Sequence, residues 1–144
     1  MDPELKREII LEHYQNPRHK MSDHDKDAIH ANGNNESCID NIDLYVNFKD
    51  GKITDMSFNG EACAISTSST SIMISNLIGK SILEIKEYID NFENMINEQP
   101  YNKDLLNEAL AYDEIYKQKS RKTCALLPYT TMKKILEKYE NKDA

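Results

Sequence analysis

The chain has 144 residues, and 18 Lys and Arg against 25 Asp and Glu give it a formal net charge of −7 at pH 7. This acidic balance argues against nucleic acid as a partner, because phosphate binding requires clustered Lys and Arg side chains. No run of about 18 apolar residues occurs, so we expect no membrane-spanning segment. The N-terminus lacks a signal-peptide pattern, and we therefore expect a cytoplasmic protein. The length fits a single domain, residues 1–144.

The N-terminal part of the chain is predicted as a helix followed by a long polar loop. Asp2 is a favourable N-cap, and Pro3 suits the first helical position. An apolar stripe at helical spacing then runs as far as Pro17: Leu5, Ile9, Ile10 and Tyr14. Residues 18–36 are polar, and we interpret them as an extended loop without a core of its own.

Alternating apolar residues predict an antiparallel β-meander of three strands. Residues 42–48 and 54–58 alternate with the period of a half-buried strand, and Asp50-Gly51 between them is typical of a two-residue hairpin turn. Residues 62–65 are predicted as a third, short strand. The hydroxyl residues at 66–71 are interpreted as a strand-to-helix junction that offers several N-caps.

The rest of the chain is predicted to be helical. Ser81 and Glu84 form a capping-box pattern for a helix that ends before Pro100. Residues 105–112 are predicted as a short amphipathic helix, and the last helix is expected to begin between residues 124 and 128. The predicted fold is α+β, with the three-stranded antiparallel meander packed against several α-helices.

Three cysteines and one aspartate are the candidate metal-binding residues: Cys38, Asp40, Cys63 and Cys124. An odd number of widely spaced cysteines fits metal or thiol chemistry in a reducing compartment better than a disulfide framework. Three thiolates and a carboxylate suit tetrahedral zinc or an iron centre. We expect Cys124 near a helix N-terminus, which would favour its thiolate. The spacing alone leaves three unrelated buried cysteines as an equally open alternative.

The histidines do not have the fixed spacing of a second metal site: His13, His19, His24 and His30. His13 is expected to be structural or to face a partner. The other three lie in the polar segment, and we interpret them as solvated loop side chains.

Four segments of the chain share their order and composition with one known family. They are Glu-His-Tyr-Gln-Asn-Pro-Arg at 12–18, Asn-Glu-Ser-Cys-Ile-Asp at 35–40, Gly-Glu-Ala-Cys-Ala-Ile-Ser at 60–66, and Arg-Lys-Thr-Cys-Ala-Leu-Leu-Pro-Tyr at 121–129. Together they resemble the iron–sulfur cluster assembly proteins of the SufU/IscU/NifU family. Thr123 stands where IscU-type proteins have histidine, and the interval between Cys63 and Cys124 is long. Both features indicate the SufU-type branch.

The resemblance implies a zinc site formed by Cys38, Asp40, Cys63 and Cys124, with iron or a [2Fe–2S] cluster at the same residues as the alternative. It also implies a pyridoxal-phosphate-dependent cysteine desulfurase of the SufS type as the partner, and downstream iron–sulfur assembly proteins. Cys38 would accept the persulfide sulfur, and Arg121 would steady a carboxylate or a persulfide.

Three functions therefore remain open at this point: a zinc-dependent sulfurtransferase, a scaffold that assembles a [2Fe–2S] cluster, and a non-catalytic adaptor stabilised by zinc. Glu36, Ile39 and Ala62 stand where the family has proline, glycine and glycine. We expect the β-branched Ile39 to stiffen or shift its loop. Metal affinity and transfer rate would then differ from those of the family.

Overall fold

The computed structural model describes residues 1–36 and 39–142. Its helices and strands, in chain order, are α1 (Pro3–Gln15), β1 (Ile29–Asn34), β2 (Asn41–Lys49), β3 (Lys52–Glu61), α2 (Ala64–Leu77), α3 (Ile82–Ile96) and α4 (Lys119–Lys142). The strands form one antiparallel sheet in the order β1-β2-β3. The α+β prediction with a three-stranded antiparallel sheet is thus confirmed. None of the described helices is long and apolar enough to cross a membrane.

The predicted turn and caps are present. Asp50 and Gly51 have φ values of 54° and 75° and connect β2 to β3 as a two-residue hairpin. Asp2 accepts a backbone N–H at the start of α1. Ser81 and Glu84 form the complete capping box of α3.

The third strand of the sheet, β1, comes before the two correctly predicted strands in the chain and not after them. Residues 62–65 form no strand, because α2 begins at Ala64, and β1 lies inside the segment interpreted as a loop. Two of the three inward positions of β1 are small: Ala31 is buried, and a Cβ on Gly33 would lie 1.9 Å from Thr131 Oγ1. Because α4 comes so close, Ile29 is the one large apolar residue of β1, and the alternating pattern that makes a strand recognisable in sequence is missing.

The hydroxyl residues at 66–71 lie inside α2, so their interpretation as a junction was wrong. All six are buried. Ser69 donates to the carbonyl of Ala125 at 2.7 Å, and the hydroxyls of Ser68 and Tyr112 are 2.6 Å apart. The other four hydroxyls of the run also have hydrogen-bond partners, which makes a polar helix tolerable in the core.

Two further helix predictions need correction. Residues 105–112 do not form an α-helix. Two 3₁₀ segments, Lys103–Leu105 and Asn107–Tyr112, lie here instead, separated by a turn at Leu106, and Asn107 has a left-handed φ of 48°. The last helix begins at Lys119, five residues before Cys124. It continues through Pro128, which has no N–H to offer the carbonyl four residues earlier.

His13 is a structural residue. Its ring is buried, with Nδ1 2.7 Å from Ser71 Oγ and Nε2 3.2 Å from Glu108 Oε1, so it joins α1 to two later segments. His24 is half-buried and stacks on Tyr45 with ring centroids 3.6 Å apart, so it is not the solvated side chain that we expected.

Both edges of the sheet accept hydrogen bonds from other segments. Lys134 and Lys138 of α4 donate to backbone carbonyls of β1. At the opposite edge, the backbone of Phe58 bonds to those of His19 and Met21. These contacts cover polar backbone groups that an edge strand otherwise exposes.

We predict that Gly33→Ala lowers the free energy of unfolding by about 1–3 kcal/mol, because the new methyl group overlaps Thr131. Urea denaturation would measure the loss. In a Thr131→Ala background the overlapping hydroxyl is gone, and the penalty should shrink. An equal penalty in both backgrounds would show that the close approach of β1 and α4 does not constrain residue 33.

Candidate metal centre

Asp40, Cys63 and Cys124 converge although they are far apart in sequence. One ligand atom from each lies within 4.8 Å of the others. Asp40 immediately precedes β2, Cys63 is the N-cap of α2, and Cys124 lies on α4. Cys38, the fourth ligand implied by the resemblance, lies outside the described residues.

Strand pairing brings two of these residues together. Asn41 pairs with Glu61 at the end of the β2–β3 ladder, so the residues just beyond, Asp40 and Cys63, meet at one corner of the sheet. Gly60 makes this pairing possible: its φ is 123°, and a Cβ there would lie 2.1 Å from the carbonyl oxygen of Asn41.

Asp40 is buried, and its carboxylate is held by donors from α2. Oδ1 accepts the backbone N–H of Cys63 at 2.7 Å, and Oδ2 accepts the hydroxyl of Ser66 at 2.5 Å. Burial acts to raise the pKa of Asp40, but these bonds and those from the two thiols outweigh it and hold the pKa below its usual value. The carboxylate is therefore ionised at neutral pH.

Cys63 is the cysteine that lies at a helix N-terminus. Its Sγ accepts the backbone N–H of Ser66 at 3.5 Å, as an N-cap side chain does, and lies 3.7 Å from Asp40 Oδ2. The expected strand position of Cys63 was wrong, because β3 ends at Glu61. The thiol of Cys63 is half-buried and reaches the surface through the cleft described below.

Cys124 does not have the helix-terminal position that we expected. It is buried in the second turn of α4, and the helix dipole acts mainly within the first turn. Burial, followed by the hydrogen bonds to Asp40 and Cys63, raises the pKa of its thiol to about 12. Asn35 Nδ2 lies 3.8 Å from its Sγ. In the metal-free protein Cys124 is thus a neutral thiol.

The three donors fit a small thiophilic cation. With Zn–S bonds of about 2.3 Å and a Zn–O bond of about 2.0 Å, tetrahedral ligand atoms lie about 3.5–3.8 Å apart. The 3.7 Å between Cys63 Sγ and Asp40 Oδ2 already meets this requirement. All three ligand atoms lie within 4.8 Å of one another, so they need to move only slightly closer to reach this spacing. Two sulfurs and one oxygen leave a fourth position for a further ligand.

A cleft of about 440 Å³ opens onto the two thiols. Arg121 and Asn35 line it together with Cys63 and Cys124. Arg121 is exposed, so its charge is available at the rim of the cleft. Ile39, next to Asp40, has 70% of its surface exposed and packs little against the protein. The cleft gives a reagent from outside direct access to the sulfur atoms.

Sequence reasoning missed Ser66 and Asn35 as members of this site. Both lie in the segments that resemble the family, at 60–66 and 35–40, and both contact candidate ligands. Their positions within those two segments were the feature of the sequence that could have identified them as part of the site.

Comparison with known proteins finds one family along almost the whole chain. The NifU-like N terminal domain matches residues 5–144. The iron–sulfur cluster assembly scaffold protein IscU of Thermotoga maritima is 31% identical over 131 residues, covering 91% of this chain and 92% of that protein. The zinc-dependent sulfurtransferase SufU of Bacillus subtilis is 31% identical over 137 residues, covering 94% and 92%.

The fold comparison agrees. A crystal structure of an iron–sulfur cluster assembly scaffold protein for the SUF system from Fervidobacterium islandicum has a TM-score of 0.80 at 32% identity. The match covers 88% of this chain and 92% of that one.

We predict that Asp40→Asn destabilises the metal-free protein at pH 7 by about 1–3 kcal/mol, because an amide replaces a charged acceptor of two hydrogen bonds. The pKa of Asp40 is lower in the folded than in the unfolded chain, so its contribution is present above about pH 4 and is lost as the pH falls through the folded value. The difference between the two proteins, measured by urea denaturation, should therefore shrink as the pH is lowered below about 4.

Asp55→Asn, at an exposed carboxylate of β3, is the matched control and should leave stability nearly unchanged. A deficit in Asp40→Asn that stays constant across the pH range would contradict a charge-dependent role of Asp40.

Proposed function

The chain belongs to the NifU-like N-terminal domain family of iron–sulfur cluster assembly proteins, and we propose that it is a zinc-dependent sulfur acceptor working with a cysteine desulfurase. The convergence of Asp40, Cys63 and Cys124 beside an open cleft carries this proposal. The similarity to a relative named as a zinc-dependent sulfurtransferase supports it. So does Thr123, which offers no imidazole beside Cys124.

Asp40, Cys63 and Cys124 would hold the zinc ion, with Cys38 as the fourth ligand. Bound zinc would keep the thiols deprotonated, including Cys124, whose pKa is raised to about 12 in the metal-free protein. Because Zn²⁺ has no redox chemistry, sulfur at such a site would be exchanged by displacement alone. Iron at the same residues is the alternative occupant.

Cys38 is our choice of sulfur acceptor. Its thiolate would attack the outer sulfur of a persulfide on the desulfurase, forming a new S–S bond at Cys38. The original S–S bond breaks, and the desulfurase cysteine leaves as a thiolate. The outer sulfur keeps its proton and its oxidation state, so the transfer needs no added oxidant or reductant. A carboxylate is a weaker ligand for a thiophilic ion than a thiolate, so Asp40 could exchange readily.

Arg121 would assist at the rim of the cleft. It lines the same cavity as the two thiols, and its guanidinium group would attract a persulfide anion or a carboxylate. The partner would be a pyridoxal-phosphate-dependent cysteine desulfurase of the SufS type, with downstream iron–sulfur assembly proteins as recipients. Free thiols of this kind require the reducing conditions of the cytoplasm, where we place the protein.

A scaffold that assembles and donates a [2Fe–2S] cluster is the second candidate. The 31% identity to a relative named as a scaffold protein favours it. Cysteine thiolates are the usual cluster ligands, and Asp40 would replace one of them. The cleft provides room for the cargo next to the thiols.

We predict that protein purified without oxygen contains about one zinc ion per chain and shows no visible absorption. Asp40→Ala should lower the zinc content, whereas Asp55→Ala, at the exposed position on β3, should not. Elemental analysis with a visible spectrum is the measurement. Iron with acid-labile sulfide and a brown colour would instead support the scaffold.

We predict that Cys38→Ala abolishes uptake of sulfur from a desulfurase supplied with radiolabelled cysteine, while thermal unfolding shows an intact fold. Peptide mass spectrometry of the wild-type protein should place the added sulfur on Cys38. Normal uptake by the variant would refute Cys38 as the acceptor. Equal stimulation of the desulfurase by wild type and variant, without uptake by either, would favour an adaptor.

A further inference from the structure

One fully buried hydroxyl contacts all three described candidate ligands. Ser66 Oγ lies 2.5 Å from Asp40 Oδ2, 3.6 Å from Cys63 Sγ and 3.0 Å from the carbonyl oxygen of Cys124. The side chain is buried inside α2, between the corner of the sheet and α4. Ser66 therefore links three separate chain segments at the candidate metal centre.

The hydroxyl of Ser66 has one proton and two oxygen acceptors. Its distance to Asp40 is the shorter one, and the ionised carboxylate is the stronger acceptor, so the proton goes to Asp40. With the N–H of Cys63 on the other oxygen, both Asp40 oxygens are held by α2. The carboxylate then faces the thiols in a fixed orientation.

Pro128 provides the second acceptor. It lacks an N–H, so the carbonyl of Cys124, four residues earlier in α4, has no donor in the usual helical position. Ser66 Oγ is within hydrogen-bond distance of that carbonyl. When a cation binds to Asp40 Oδ2, the hydroxyl of Ser66 can donate to this carbonyl instead, so that no buried donor is left unpaired.

We propose that Ser66 is a positioning residue of the metal centre: its hydroxyl orients Asp40 toward the thiols and shifts to the carbonyl of Cys124 as the metal binds. The presence of a metal depends on the function proposed above, whereas the orientation of Asp40 by Ser66 does not. Residues that hold a metal ligand in place typically contribute 10–100-fold to metal affinity, although they never touch the metal.

Ser69 is a matched control one turn further along α2. It too is fully buried, and its hydroxyl donates to a carbonyl of α4, that of Ala125, at 2.7 Å. Ser66→Ala and Ser69→Ala therefore each remove one buried hydroxyl and one contact between α2 and α4. They differ in that Ser66→Ala alone also removes the hydrogen bond to Asp40 and the longer contact with Cys63 Sγ.

The first experiment is Zn²⁺ binding measured by competition with a chelator. Ser66→Ala should weaken binding at least about tenfold, and Ser69→Ala by less than about twofold. Ser66→Ala should also change the visible bands of the Co²⁺-loaded protein, because these bands report the arrangement of ligands. Unchanged affinity in Ser66→Ala, or an equal loss in Ser69→Ala, would overturn the proposal.

The second experiment needs no metal. In the metal-free protein the amide N–H of Cys63 is protected by Asp40 Oδ1, so Ser66→Ala should accelerate its hydrogen exchange more than Ser69→Ala does. Equal protection in the two variants would overturn the positioning role. If the wild-type protein binds no zinc, the proposed function fails, and amide exchange alone decides the role of Ser66.

Discussion

The hydrogen bonds of one buried carboxylate join the parts of the chain on which the site depends. Asp40 immediately precedes β2, yet its two oxygens accept hydrogen bonds from the N-terminal end of α2, and Ser66 continues the contact to α4. An unpaired carboxylate would be costly in this position. The hydrogen bonds that satisfy buried Asp40 therefore also bring Cys63 beside it, and Cys124 lies within the same cluster.

The same proximity pushes two neighbouring pKa values apart. Burial raises the pKa of Cys124, and the carboxylate adds to this by opposing a second negative charge, whereas donors from α2 keep Asp40 ionised. Without a metal, Asp40 therefore carries a negative charge, while the thiol of Cys124 stays protonated. A divalent cation would favour the deprotonated thiol of Cys124, so the metal and the proton compete for its sulfur.

Local signals predicted the elements that local chemistry determines, such as the Asp50-Gly51 hairpin and the Ser81–Glu84 capping box. They failed at β1, where the glycine at position 33 is explained only by the close approach of α4. They also failed for the hydroxyl run of α2, whose acceptors are brought close by the tertiary fold. The candidate ligands were named from their residue types, but only the family motifs favoured one shared site, since intervals of this size between cysteines fix no geometry.

The covered edges of the sheet determine how another protein can bind to this one. Many complexes form by strand addition, in which a guest peptide lengthens a sheet through its backbone. Here lysines of α4 already occupy carbonyls of β1, and Phe58 on β3 is bonded to residues 19 and 21. At these positions a guest strand would have to displace native bonds. We therefore expect a partner to be recognised through side chains and shape, which vary more freely between partners than a backbone ladder does.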